Sequence, residues 1–121
     1  MYDCLICYCI HIILSQNKQL ATPACVDTID SSNGQEDHVS MGANSATKLM
    51  RVVENVKKVL AVELFNACQA IEFRRPLKSS DKIEKLLADY RKVVPTIEND
   101  VFMHPLIEKS IQFINTYKLE K

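Results

Sequence analysis

The densest group of chemically capable side chains in the sequence is Gln35-Glu36-Asp37-His38, followed by Val39-Ser40-Met41-Gly42. Two carboxylates, an amide and an imidazole in four consecutive positions can move a proton or hold a polar substrate. Glu36 is the natural acid–base group and His38 its neighbour. The same residues lie just before a segment of helical periodicity. The unpaired N–H groups and the positive dipole end of a helix start favour acidic and hydroxyl side chains there. From the residues alone, a helix capped by Asp37 or Ser40, with a solvated turn around it, is therefore the favoured account of the cluster. The sequence contains no glycine-rich phosphate loop and no nucleophile elbow.

The five cysteines, at 4, 7, 9, 25 and 68, are odd in number and irregular in spacing. That argues against a secreted disulfide framework and for reduced thiols in a cytoplasmic protein. Cys4, Cys7 and Cys9 have metal-motif spacing, but no second cluster or paired histidine follows, so no metal is expected. Fifteen basic residues balance fifteen acidic ones. This neutrality gives no electrostatic reason for binding nucleic acid or an anionic membrane. The apolar run at residues 4–14 is too short to span a bilayer as a helix and lacks the basic flank of a signal peptide. It reads as a buried strand or helix, or as a segment foreign to the rest of the sequence.

The elements that must position Glu36 follow from periodicity. Residues 15–40 are polar and rich in turn formers (Pro23, Asp27, Asp30, Asn33, Gly34), which predicts a long irregular stretch. From Gly42 to Arg74, Leu49, Val53, Val56, Leu60, Leu64, Ala67 and Ile71 recur every three or four residues, one face of a helix. Met50, Val52, Val59, Val62, Phe65 and Cys68 form a second apolar row. A helix of roughly 50 Å that is apolar on two faces is longer than a 121-residue globule comfortably covers, which favours neighbours from a larger protein or from other subunits over an ordinary central helix of a small bundle. Pro76 stops it, with Arg74 and Arg75 at its negative end. A second helix is predicted from Ser80 or Asp81, with capping-box spacing between Asp81 and Glu84 and an apolar stripe of Ile83, Leu86, Leu87, Tyr90 and Val94, ending at Pro95. A third starts near Pro105 and carries Ile107, Ile111 and Ile114 on one side. The fold class is all-α: a long central helix, two shorter ones and an irregular N-terminal segment.

The stretch T-P-A-C-V-D-T-I-D-S-S-N-G-Q-E-D-H-V-S-M-G at residues 22–42 resembles a signature of the aromatic amino acid ammonia-lyases. R-V-V-E-N-V-K-K-V-L-A-V-E-L at 51–64 and Q-A-I-E-F-R-R-P at 69–76 continue it. Residues 1–14 fit no part of the pattern. Q-E-D-H is similar to the histidine-specific branch. Branches acting on phenylalanine or tyrosine tend to carry an amide where this chain has Glu36, and a carboxylate can pair with an imidazole but not with a benzene ring.

The resemblance implies a division into an unmatched apolar segment (1–14), a loop of the active-site type (15–41) and the helical C-terminal region of a larger helical-bundle lyase (42–121). It implies non-oxidative elimination of ammonia from L-histidine to give urocanate. Glu36 would be a catalytic or substrate-binding residue, and Gln35 a substrate-binding neighbour. Asp37 and His38 would be structural. The family's electrophile, a methylidene-imidazolone, forms from an internal Ala-Ser-Gly that does not occur among these residues. The chain alone is therefore expected to be inactive. The family assembles as homotetramers with active sites built from more than one subunit. The alternative is a helical interaction or oligomerisation module derived from the lyase that no longer catalyses.

Overall fold

A computed structural model gives the fold and describes residues 2–26, 29, 31–36 and 39–118. It contains four α-helices: α1 (Tyr2–Leu20), α2 (Gly42–Glu72), α3 (Asp81–Arg91) and α4 (His104–Thr116). Among the described residues there is no β-strand, only an isolated antiparallel bridge between Ser31 and Glu36. The fold is helical, as the periodicity predicts. The chain divides within α2 into two compact units, Met1–Val56 and Lys57–Lys121. No described helix is long and apolar enough to cross a membrane.

In the first unit, α1 corrects the boundary expected at residue 15. Gln16, Asn17, Lys18 and Gln19 are polar, but the stretch contains neither glycine nor proline, and Gln, Lys and Leu are good helix formers. The helix continues through them and closes where Ala21 N–H meets Asn17 O at 2.9 Å and Thr22 Oγ1 donates to Gln19 O at 2.9 Å. Pro23 follows, and Lys18 in the last turn suits the negative dipole end.

The second helix, α2, has no proline and no glycine after its first residue, so nothing interrupts it for 31 residues, about 46 Å. It opens at Gly42, with Ser45 N–H on Met41 O at 3.0 Å. Met41 therefore occupies the cap position, with Ser40 one residue further out. Asp37, the other expected cap, lies outside the described residues, as does His38. Of the two apolar rows, the second supplies the buried positions Val62, Phe65 and Cys68, joined by Ala61. The first row leaves Leu49, Val53, Val56 and Leu60 exposed, and Met50 of the second row is exposed with them.

In the unit Lys57–Lys121, α3 and α4 bury Leu87, Tyr90 and Phe113, together with Val94 just beyond α3. The rings of Tyr90 and Phe113 meet edge to face at 5.2 Å, and Tyr117 stacks on Phe113 at 4.6 Å. Tyr90 Oη lies 2.6 Å from Ser110 Oγ. The single Ser110 proton goes to Leu106 O at 2.7 Å, so tyrosine is the donor. Burial pushes the Tyr90 hydroxyl pKa up, against the opposing Ser110 bond. Ser110 and Phe113, rather than Ile107, Ile111 and Ile114, are the most buried positions of α4, because Tyr90 needs a polar partner on that face.

The start of α3 differs from the expected capping box. Ser80 sits at the cap position and makes no side-chain bond there, while the Glu84 carboxylate accepts Ser79 N–H at 2.8 Å. Glu84 also pairs with Arg75 at 2.9 Å, and Glu72 pairs with Arg75 at 3.4 Å and Arg91 at 3.2 Å. Four alternating charges thus join the end of α2 to α3. The Gln69 amide fastens the segment after α3, donating to Ile97 O at 2.8 Å and accepting Ile97 N–H at 3.2 Å.

Candidate functional site

The residues singled out by their chemistry sit in the connection between α1 and α2. The chain reverses there through three consecutive residues in the left-handed region: Ser32 (φ 52°), Asn33 (φ 58°) and Gly34 (φ 78°). Glycine enters this region freely and asparagine tolerates it, but serine does so at a cost. Gly34 N–H on Ser31 O at 3.0 Å and Gln35 N–H on Ser32 O at 3.4 Å close the reversal. The Ser31–Glu36 bridge then aligns the two ends.

Glu36 is exposed, with its Oε2 accepting the Ser31 hydroxyl at 3.0 Å. Gln35 is exposed beside it. An exposed carboxylate with one oxygen engaged can accept a further hydrogen bond or a proton at the other. The structure thus brings Gln35 and Glu36 together on one turn.

Five long-range hydrogen bonds, from three donor groups, tie the connection and its flanking helices together. Cys25 Sγ accepts Met41 N–H at 3.4 Å, joining the two ends of the loop across sixteen residues. Lys48 Nζ, from α2, donates to Thr22 O at 2.8 Å and Thr22 Oγ1 at 3.2 Å. The buried Asn55 amide donates to Gln16 Oε1 and Asn17 Oδ1 of α1, both at 2.8 Å. Sequence reasoning missed these contributors. For Asn55 a signal existed: with Val52, Val59 and Val62 it shares the spacing of the buried apolar row, and a lone amide there needs a partner. Ser31, Cys25 and Lys48 gave none, since their partners lie across a loop without periodicity.

Elsewhere the chain offers less chemistry. A groove of about 390 Å³ in the second unit, between α3 and α4, is lined largely by Pro95, Ile97, Val101, Phe102, Pro105 and Leu106. It includes neither Gln35 nor Glu36. Cys68 is buried, and loss of hydration raises its thiol pKa, which suits packing rather than nucleophilic attack. Among the described residues no three His, Cys, Asp or Glu side chains gather as metal ligands would. The side chains of Cys4 and Cys7 lie outside the described part of the structure.

The sequence profile of the aromatic amino acid lyase family matches residues 5–92. The chain belongs to the aromatic amino acid lyase family. Its likeness extends to individual aromatic amino acid lyases. It is 42% identical over 111 residues to the histidine ammonia-lyase of Caenorhabditis elegans, covering 92% of this chain and 16% of that protein. It is 45% identical over 107 residues to the histidine ammonia-lyase of Homo sapiens, covering 88% of this chain and again 16% of the relative. The crystal structure of histidine ammonia-lyase from Trypanosoma cruzi superimposes with a TM-score of 0.86 at 39% identity, over 93% of this chain and 22% of that one. The chain therefore spans about a sixth of the curated relatives' length. The family match opens at residue 5, within the stretch 1–14 in which the sequence reading found no family pattern.

Members of the aromatic amino acid lyase family use a methylidene-imidazolone electrophile. The tripeptide Ala-Ser-Gly does not occur among these 121 residues. The 31–36 turn carries an exposed carboxylate, Glu36, and an exposed amide, Gln35.

Proposed function

We propose that these residues form the C-terminal part of a histidine ammonia-lyase and contribute Glu36 to its active site. The observation that carries the reading is Glu36 itself. In a chain 42–45% identical to histidine ammonia-lyases, this carboxylate is presented to solvent on a closed turn with one oxygen already engaged. In the elimination, a proton leaves the β-carbon of histidine, the Cα–N bond breaks, and the new double bond gives urocanate and ammonia. Glu36 either accepts a hydrogen bond from the substrate imidazole or takes the departing proton, and Gln35 lines the pocket next to it. The electrophile lies on polypeptide outside these residues. In this reading the working assembly is a cytoplasmic homotetramer, and the exposed Leu49, Met50, Val53 and Val56 face other parts of it.

A chimera tests this. The matching 107 residues of human histidine ammonia-lyase are replaced by those of this chain, and urocanate is followed by its ultraviolet absorbance. The chimera should turn over histidine, the 121-residue chain alone should not, and Glu36→Gln in the chimera should cost roughly 10²–10⁴ in kcat/KM with helicity intact. Turnover by the isolated chain would show that the electrophile is not needed from elsewhere. Near-normal turnover by the Gln variant would remove Glu36 from the site. An inert chimera whose 121-residue part still binds a lyase subunit would favour the non-catalytic interaction module.

A further inference from the structure

We propose that Ser31 is a positioning residue for Glu36, an inference that rests on the role just given to Glu36. The two residues are joined twice. Their backbones form the antiparallel bridge, with Glu36 N–H on Ser31 O at 3.5 Å, and the Ser31 hydroxyl donates to Glu36 Oε2 at 3.0 Å. An ionised carboxylate only accepts, so the one hydroxyl proton of Ser31 is committed to it.

The turn that brings them together is costly. Ser32 and Asn33 both occupy the left-handed region before Gly34 does. Non-glycine residues persist there only where the surroundings over-determine them, and such strain gathers at sites that need a fixed geometry. A two-residue hairpin reversal places at most two successive residues at positive φ, and here there are three. This one sets Ser31 opposite Glu36, so that the hydroxyl reaches the carboxylate.

Glutamate has among the largest side-chain freedoms to lose on binding. Here the backbone of Glu36 is held by the bridge and its Oε2 by Ser31, so part of that freedom is lost before a ligand arrives. Oε1 remains for the imidazole N–H or the β-proton of histidine. A charge-assisted bond to that oxygen depends on its direction, and Ser31 sets it.

The test uses the chimera and the 121-residue chain together. In the chimera, Ser31→Ala should lower kcat/KM for histidine roughly tenfold, the usual worth of a hydrogen bond to a charged group, while Ser31→Thr retains most of it. Added to Glu36→Gln, Ser31→Ala should cost almost nothing more, because a positioning residue has no role once its client carboxylate is gone. A wild-type Ser31→Ala enzyme overturns the proposal, and so does a loss of the same size in the Glu36→Gln background. In the 121-residue chain, the carboxyl carbon resonance of Glu36 should move with Ser31→Ala and stay put with Ser31→Thr and with Ser40→Ala. An unmoved resonance in Ser31→Ala overturns the proposal whatever the kinetics show. A silent Glu36→Gln with a responsive resonance would sink the role of Glu36 and leave the Ser31 contact standing.

Discussion

The units Met1–Val56 and Lys57–Lys121 are stabilised in different ways. The buried hydrophobic residues of the described chain, from Ala61 to Phe113, all belong to the second. The first buries Asn55, an amide, and leaves Ile12, Leu14, Leu49, Met50, Val53 and Val56 exposed. Lys57–Lys121 has a core of its own, with aromatic contacts and a satisfied Tyr90–Ser110 pair at its centre. Met1–Val56 relies on side-chain hydrogen bonds between helices and loop. Glu36 is on the unit that has no buried hydrophobic residue among those described. A catalytic group needs tight positioning by its surroundings. If Glu36 acts as proposed, the described residues of its own unit supply only the Ser31 contact and the bonds that close the loop.

One substitution made in both units tests this contrast most sharply. Leu87 is 2% exposed on α3 and Leu49 is 62% exposed on α2. Leu87→Ala should destabilise the isolated chain by about 2–5 kcal/mol through lost burial and the cavity it leaves. Leu49→Ala should change it by no more than about 0.5 kcal/mol, the range for surface positions. Urea unfolding of the two variants measures both. Similar costs would mean that the apolar face of α2 is covered within the isolated chain, and the distinction between the units would fail. In the chimera the order changes: Leu49→Ala should then lower assembly stability while remaining silent in the chain alone.

Much of this contrast was legible in the residues. The periodicity of α2, the stop before Pro76, the start near Pro105 and the two-sided apolar pattern all follow from local rules, because helix formation depends on neighbours three and four positions away. Which apolar row would be buried did not follow, since that depends on what each face meets. Residues 15–19 are polar but hold no helix breaker, so their polarity does not mark the end of α1. At the site, Glu36 and Gln35 stood out by residue type and by resemblance. Ser31 did not, because its role depends on a left-handed reversal that Ser32 and Asn33 do not announce. Val53 and Asn55 show the same limit on one helix: the valine is exposed and the amide buried, a reversal set by Gln16 and Asn17 on α1.

Asn55 gives the next largest expected effect and sharpens the picture of the first unit. Asn55→Ala removes both donors and leaves the two acceptor oxygens of α1 to find water. The expected cost is about 1 kcal/mol, smaller than that of Leu87 because Gln16 is exposed and Asn17 only half-buried. Amide exchange should quicken along α1, while the near-ultraviolet signal of Tyr90 and Phe113 stays unchanged. A loss of that aromatic signal would show that the two units do not respond separately.

The smallest effect concerns acid. The carboxyl of Glu84 is held below its ordinary value of 4.5, first by the Arg75 hydrogen bond and then by Ser79 N–H. Asp89 is lowered in the same sense, mainly by Lys92. For each, the folded state binds the proton more weakly than the unfolded chain does. Between the ordinary value and the lowered one the unfolded chain therefore carries more protons, and stability rises with pH. The contribution of Glu84 is complete above its ordinary value and is lost as pH falls through the folded one. Glu84→Gln should flatten part of that acid limb in a plot of thermal midpoint against pH, and Asp89→Asn a further part. Both steps are modest because the pairs face solvent and are screened. Superimposable curves for Glu84→Gln and the unmodified chain would show that the Arg75–Glu84 contact gives the second unit no stability that acid can remove, leaving its apolar core to account for that stability.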